Sequence, residues 1–112
     1  MKYELKNINI ISEDYGSAAE DFWVSIRIEV SEKGKDEKIL FQANVVGSVR
    51  IDHLIAGKET INNSGLFIAH IYDPELIHSI LTRILSKINA KTEEQLIKEF
   101  SRFVIYEGPI PT

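Results

Sequence analysis

Acid–base or metal chemistry in this chain would fall to three histidines and four adjacent pairs of carboxylates. Asp52 precedes His53, and Asp73 lies between His70 and His78. A two-histidine zinc helix needs its ligands one turn apart, at i and i+4, and no two of these are so spaced. The pattern predicts His70 on a strand, half-buried, and His53 and His78 at the surface. Glu13-Asp14, Glu20-Asp21, Asp36-Glu37 and Glu93-Glu94 could serve hydrolysis only if a cleft held two carboxylates across a substrate. They fall in polar connections or at a helix start, where solvated charge is the simpler account. No serine sits in a glycine-bracketed elbow, Gly16, Gly34, Gly47, Gly57, Gly65 and Gly108 are isolated from one another, and cysteine is absent. The expectation is a chain without catalytic residues, cofactor or metal.

The elements around these residues are most legible between Gly65 and Glu107. GLFIAHIY, apolar on both parities, predicts a central strand covered on both faces. Asp73 supplies an N-cap oxygen and Pro74 fits the first helical position. Leu76, Ile77, Ile80, Leu81, Ile84, Leu85 and Ile88 then form one apolar stripe, with Asn89 expected to close the helix. Thr92-Glu93-Glu94-Gln95 has the capping-box form, and Leu96, Ile97 and Phe100 give the next helix its inner face. Phe103 to Tyr106 reads as a closing strand.

Upstream, residues 3–11 read as a first strand and the polar, acidic residues 12–21 as a loop. Phe22, Val24, Ile26, Ile28 and Val30 alternate with Trp23, Ser25, Arg27 and Glu29, a half-buried strand with its second face open to solvent or a partner. The charged connection 31–38, with Gly34 inside it, makes a hairpin to a third strand from Ile39 to Val46. Gly47 ends that strand. Ser48 opens a short helix, SVRIDHLIA, closed by Gly57, with Val49, Leu54 and Ile55 inward. The expected fold is one α+β domain over residues 1–112, an antiparallel sheet of four to five strands with two C-terminal helices on one face.

Composition agrees: 44% hydrophobic, 27% charged, formal net charge −4. The acidity argues against nucleic acid and anionic membranes as partners and favours a basic protein. Lys33, Lys35 and Lys38 are diluted by Glu32, Asp36 and Glu37, so no cationic stripe forms. Met1-Lys2-Tyr3-Glu4 begins no signal peptide, and with no cysteine the chain suits a reducing cytoplasm.

Taken end to end, the order of these stretches resembles the immunity protein 8 family of bacterial polymorphic-toxin systems. The resemblance rests on MKYELKNI, an acidic loop before EDFWVSIRIEV, the hairpin EKGKDEK, ILFQANVV, GLFIAHIYD entering the long helix, KTEEQLIKEFSRF and a short aromatic strand, VIYE. Two positions depart from the family pattern. Glu93 stands where a Trp often follows the Thr that opens the second helix, and Val104-Ile105-Tyr106 replaces a closing strand with Gly and Trp. The resemblance implies a cytoplasmic antidote that binds one toxin domain, delivered by a neighbouring cell, and blocks it stoichiometrically. Contact-dependent growth inhibition is one such setting. It carries no catalytic residues over.

Polarity, aromatic content and expected exposure then nominate a contact surface for the toxin domain. It comprises Asp14, Tyr15, Glu20 and Asp21 in the acidic loop, Trp23, Arg27 and Glu29 on the open strand face, and Glu32, Asp36 and Glu37 in the hairpin. The alternative is a non-catalytic interaction module, a homodimer joined through a sheet edge or helix face. A small enzyme using His70 or His78 ranks third.

Overall fold

The structure, a computed structural model, describes residues 2–56 and 65–108, with backbone alone for 53–56. Its elements run β1 (Tyr3–Tyr15), β2 (Phe22–Glu32), β3 (Ile39–Gly47), α1 (Ser48–Ala56), β4 (Leu66–Ala69), α2 (Pro74–Lys87), α3 (Glu93–Phe100) and β5 (Ile105–Tyr106). The fold class is α+β, as expected: a five-stranded, mostly antiparallel sheet with helices packed against it.

The strand order is β1-β2-β3-β4, and β5 also pairs with β3. β4 runs parallel to β3 at Asn44–Gly47, whereas β5 runs antiparallel at Phe41 and Gln42, so the two short strands share one edge end to end. The parallel pair departs from the expected wholly antiparallel sheet. Parallel neighbours need a crossover rather than a hairpin, and here α1 is part of the crossover.

GLFIAHIY is not a central strand. Four of its residues pair at the sheet edge, Ile68 is 60% exposed, and His70 lies exposed beyond the strand. Its apolar residues serve two faces at an edge: Phe67 and Ala69 pack on the core, while Leu66 and Ile68 fall on the opposite side. The central strands are β2 and β3. Their inner parities, Phe22 to Val30 and Ile39 to Val45, form the core with Ile77, Leu81 and Leu85 of α2 and Leu96 and Phe100 of α3.

The helix caps follow the expected chemistry. Asp73 accepts from the N–H groups of Glu75 and Leu76, at 3.1 and 3.4 Å. Thr92 Oγ1 accepts from the Gln95 N–H at 3.2 Å, while the Gln95 side chain reaches back to the Lys91 N–H at 2.8 Å, one residue before the cap. α2 stops at Ile88, which is extended. Its buried line is Ile77, Leu81 and Leu85, with Ile80, Ile84 and Ile88 half-buried beside it and Leu76 exposed.

β1 is longer than expected. Residues 12–15 continue it and pair with Phe22–Ser25, so the acidic connection shrinks to 16–21. Two register irregularities, between Leu5 and Asn7 and between Ile10 and Ser12, bend this edge strand. Bulges of that kind keep a long sheet edge from templating another chain.

α1 forms where expected, but Ile51 is its buried side chain, Val49 is half-buried, and Leu54, Ile55 and Gly57 lie outside the described side chains. Val46 and Ile51 are both buried yet belong outside the main core cluster. The Arg50 guanidinium, moreover, meets Asp14, whose strand partner is Trp23. α1 therefore covers one end of the sheet face opposite α2 and α3.

Candidate functional site

That opposite face is where the chemistry-bearing side chains gather. In-register residues of neighbouring strands point to the same side, which gives four rows that run from β1 to β3 or beyond. They are Asp14–Trp23–Val46–Ile68, Ser12–Ser25–Asn44–Leu66, Asn9–Arg27–Gln42–Ile105 and Asn7–Glu29–Leu40. The face is thus graded: polar along β1, mixed in the middle, apolar along the β4/β5 edge, where Ile68 and Ile105 are exposed.

The polar part is tied together by side-chain hydrogen bonds. Asn44 Oδ1 accepts from Trp23 Nε1 at 3.2 Å and from Ser25 Oγ at 2.7 Å, fixing the half-buried indole. Arg27 Nε donates to both carboxylate oxygens of Glu107, at 3.2 and 3.1 Å. Glu29 is only 7% exposed although its parity faces away from the core. Its carboxylate accepts from Asn9 at 2.5 Å and Asn7 at 3.4 Å and is paired with Lys38 Nζ at 2.8 Å. The Lys38 hydrogen bond, ahead of the two asparagines, holds the Glu29 carboxyl below the usual glutamate range against the opposing effect of burial.

A pH prediction follows from that direction. Because the native value is depressed, Glu29 contributes stability above the ordinary carboxylate range. That contribution fades as pH falls below about 4, through the native value. Glu29→Gln should flatten the acid limb of a stability–pH curve measured by urea titration; an unchanged acid limb would place the acid sensitivity elsewhere.

At one end of the face Arg50 ties α1 to β1 and to the 16–21 connection. Its guanidinium donates to Asp21 and, at 2.9 Å, to Asp14 Oδ2, and these bonds, Asp21 first, push the arginine further toward its charged form. The Glu20 carbonyl accepts from the Val49 N–H at 3.1 Å.

The ten nominated residues therefore do not form one cluster. Asp14, Glu20, Asp21 and Trp23 gather at the α1 end. Arg27 and Glu29 sit mid-face, and Asp36 and Glu37 lie exposed in the turn at the far end. The length of β2 separates the two ends by about 30 Å at ~3.3 Å per residue. Tyr15 and Glu32 are on the core-side parity: Tyr15, 56% exposed, stacks toward Phe22 with its hydroxyl on Glu13, and Glu32 pairs with Lys35. Several of the acids are engaged internally, so the free negative charge is smaller than the residue types suggest.

Asn7, Asn9, Asn44, Glu107 and the apolar edge Leu66, Ile68 and Ile105 belong to this face and were not foreseen. Strand register alone assembles them; the alternation of β2 was the only local signal. His70 is exposed rather than half-buried, His78 is exposed, and the His53 side chain lies outside the described residues. Among the described residues no three His, Cys, Asp or Glu side chains converge as metal ligands, and no helix is long and apolar enough to cross a membrane. No protein-family model, characterised protein or solved structure matches the chain at a significant level.

Proposed function

We propose that this chain is a non-catalytic binding protein of the immunity type, which docks one protein partner, a toxin domain, on the sheet face opposite α2 and α3. The single observation that carries this is the hydrogen-bonded order of that face: Trp23, Arg27 and Glu29 are held before any partner arrives. Fixed side chains lose less rotamer freedom on binding, which is where affinity is otherwise dissipated. Trp and Arg are also the residue types that most often dominate interfaces. The adjacent apolar edge, Leu66, Ile68 and Ile105, would extend such an interface with dry contact area, and a standard interface covers about 800 Å² per partner. The end-to-end resemblance to immunity proteins supplies the kind of partner, and the exposed Asp36 and Glu37 favour a basic one.

The test is co-purification and calorimetry with the C-terminal domain of a secreted toxin encoded beside this chain, together with survival of cells expressing that domain. Arg27→Ala should weaken binding about tenfold or more, equivalent to ~1.4 kcal/mol, while leaving the melting temperature nearly unchanged, since Arg27 is the exposed member of its pair with half-buried Glu107. Lys substitutions at Asp36 and Glu37 should mainly slow association. No binding and no protection would overturn the proposal. A second reading, self-association through Leu66, Ile68 and Ile105, is favoured by their clustering at one sheet edge; sedimentation of the isolated chain as a monomer would remove it.

A further inference from the structure

On the helix layer, away from the sheet face described above, α2 and α3 leave an open groove of about 630 Å³, within the range of ligand-binding clefts. Its floor is apolar: Ile84 and Ile88 are half-buried, and Phe103 is 44% exposed. Its rim is cationic. Lys87, Lys98 and Arg102 line it against one carboxylate, Glu99, which meets Arg102 at 3.6 Å in an exposed pair. This is a local excess of positive charge on a chain of net charge −4.

We infer that this groove binds a short acidic peptide segment carrying an apolar side chain, presented by a protein partner. The apolar residue would cover Phe103 and Ile88, and flanking carboxylates would meet Lys87, Lys98 and Arg102. Charge complementarity selects the anion, and the floor selects against a bare polyphosphate. Duplex nucleic acid offers this groove its phosphates and keeps its bases stacked, so it would leave Phe103 idle, and it is repelled by the acidity of the whole chain. The inference is independent of the toxin reading, because the groove and the Trp23–Arg27 face lie on opposite layers.

The probe is a displayed library of random twelve-residue peptides, panned on the intact chain and counter-selected on the Lys98→Glu, Arg102→Glu double variant. The two variants to be used change three exposed side chains, Lys98, Arg102 and Phe103, and circular dichroism would confirm their folding. Enriched sequences should contain at least two Asp or Glu residues beside a Leu, Ile or aromatic residue. A synthetic copy of the leading peptide should bind with an anisotropy signal that falls about tenfold in affinity in the double variant. It should fall similarly with Phe103→Ser, and weaken as salt rises. Absence of enrichment, enrichment of sequences the double variant retains, or equal competition by a short DNA duplex or anionic vesicles would each overturn it.

Discussion

Phe100→Ala should remove a large part of the fold's stability. Phe100 and Phe41 are both fully buried, with ring centroids 4.7 Å apart in an edge-to-face arrangement, and Tyr106 packs on Phe41 at 5.6 Å. This stack joins α3, β3 and β5. Truncating a buried phenylalanine costs about 3–5 kcal/mol through lost transfer energy and the cavity left behind. A domain of this size holds only about 5–15 kcal/mol in total. The urea midpoint should therefore fall sharply at nearly constant slope. Phe100→Leu, which refills most of the space, should cost well under half as much. A double-mutant cycle with Phe41→Leu should return a coupling of about 0.5–1.5 kcal/mol for the aromatic contact itself. A loss below about 1 kcal/mol for Phe100→Ala would mean that α3 is not docked as described.

The same residue shows what was readable beforehand and what was not. Phe100 is one of three apolar positions on a short helix with a clear cap, so its inward orientation follows from period and capping alone. α2 and the inner parity of β2 were legible for the same reason, because each is a local repeat. Topology was not. GLFIAHIY looked central because both of its parities are apolar, yet a strand at an edge can be apolar on both sides if one side meets the core and the other lies beside an apolar neighbour. β2 looked half-exposed because its outer parity is polar, yet Ser25 and Glu29 are buried there, Glu29 beneath Lys38, Asn7 and Asn9 and Ser25 beside Asn44. Burial of a polar strand face depends on what lies on the neighbouring strands, and that information is spread over residues 7 to 107. The surface nominated for binding was scattered for a related reason. Acidic residue types mark charge, but whether that charge is free depends on partners such as Arg50 and Lys38, which no local pattern pairs with Asp14, Asp21 and Glu29.

Gly47→Ala should also destabilise the protein, and the sign is decided by geometry. In the unfolded chain, alanine is the stiffer residue, which by itself would favour the folded state by about 0.4–1 kcal/mol. In the folded chain, a Cβ at Gly47 overlaps the Glu20 carbonyl oxygen and falls 2.5 Å from its carbon and 2.8 Å from Phe22 Cδ1. The obstacle is backbone and cannot rotate aside. It is also pinned: the Glu20 carbonyl holds the Val49 N–H, and the next residue, Asp21, is held by Arg50 and by the Gly16 N–H at 2.7 Å. Overpacking against a fixed neighbour costs about 1–3 kcal/mol or more, which exceeds the unfolded-state gain. The net loss should appear in urea titration, together with faster amide exchange at Val49 and through residues 16–21. Gly34→Ala is the control, because its positive φ of 88° strains alanine but a Cβ there meets open space. That substitution should cost about 1 kcal/mol and leave exchange at Val49 untouched. If Gly47→Ala were instead as stable as the parent, β3 could not end against the Glu20 carbonyl. The docking of α1 that shapes the Trp23 end of the binding face would then need another cause.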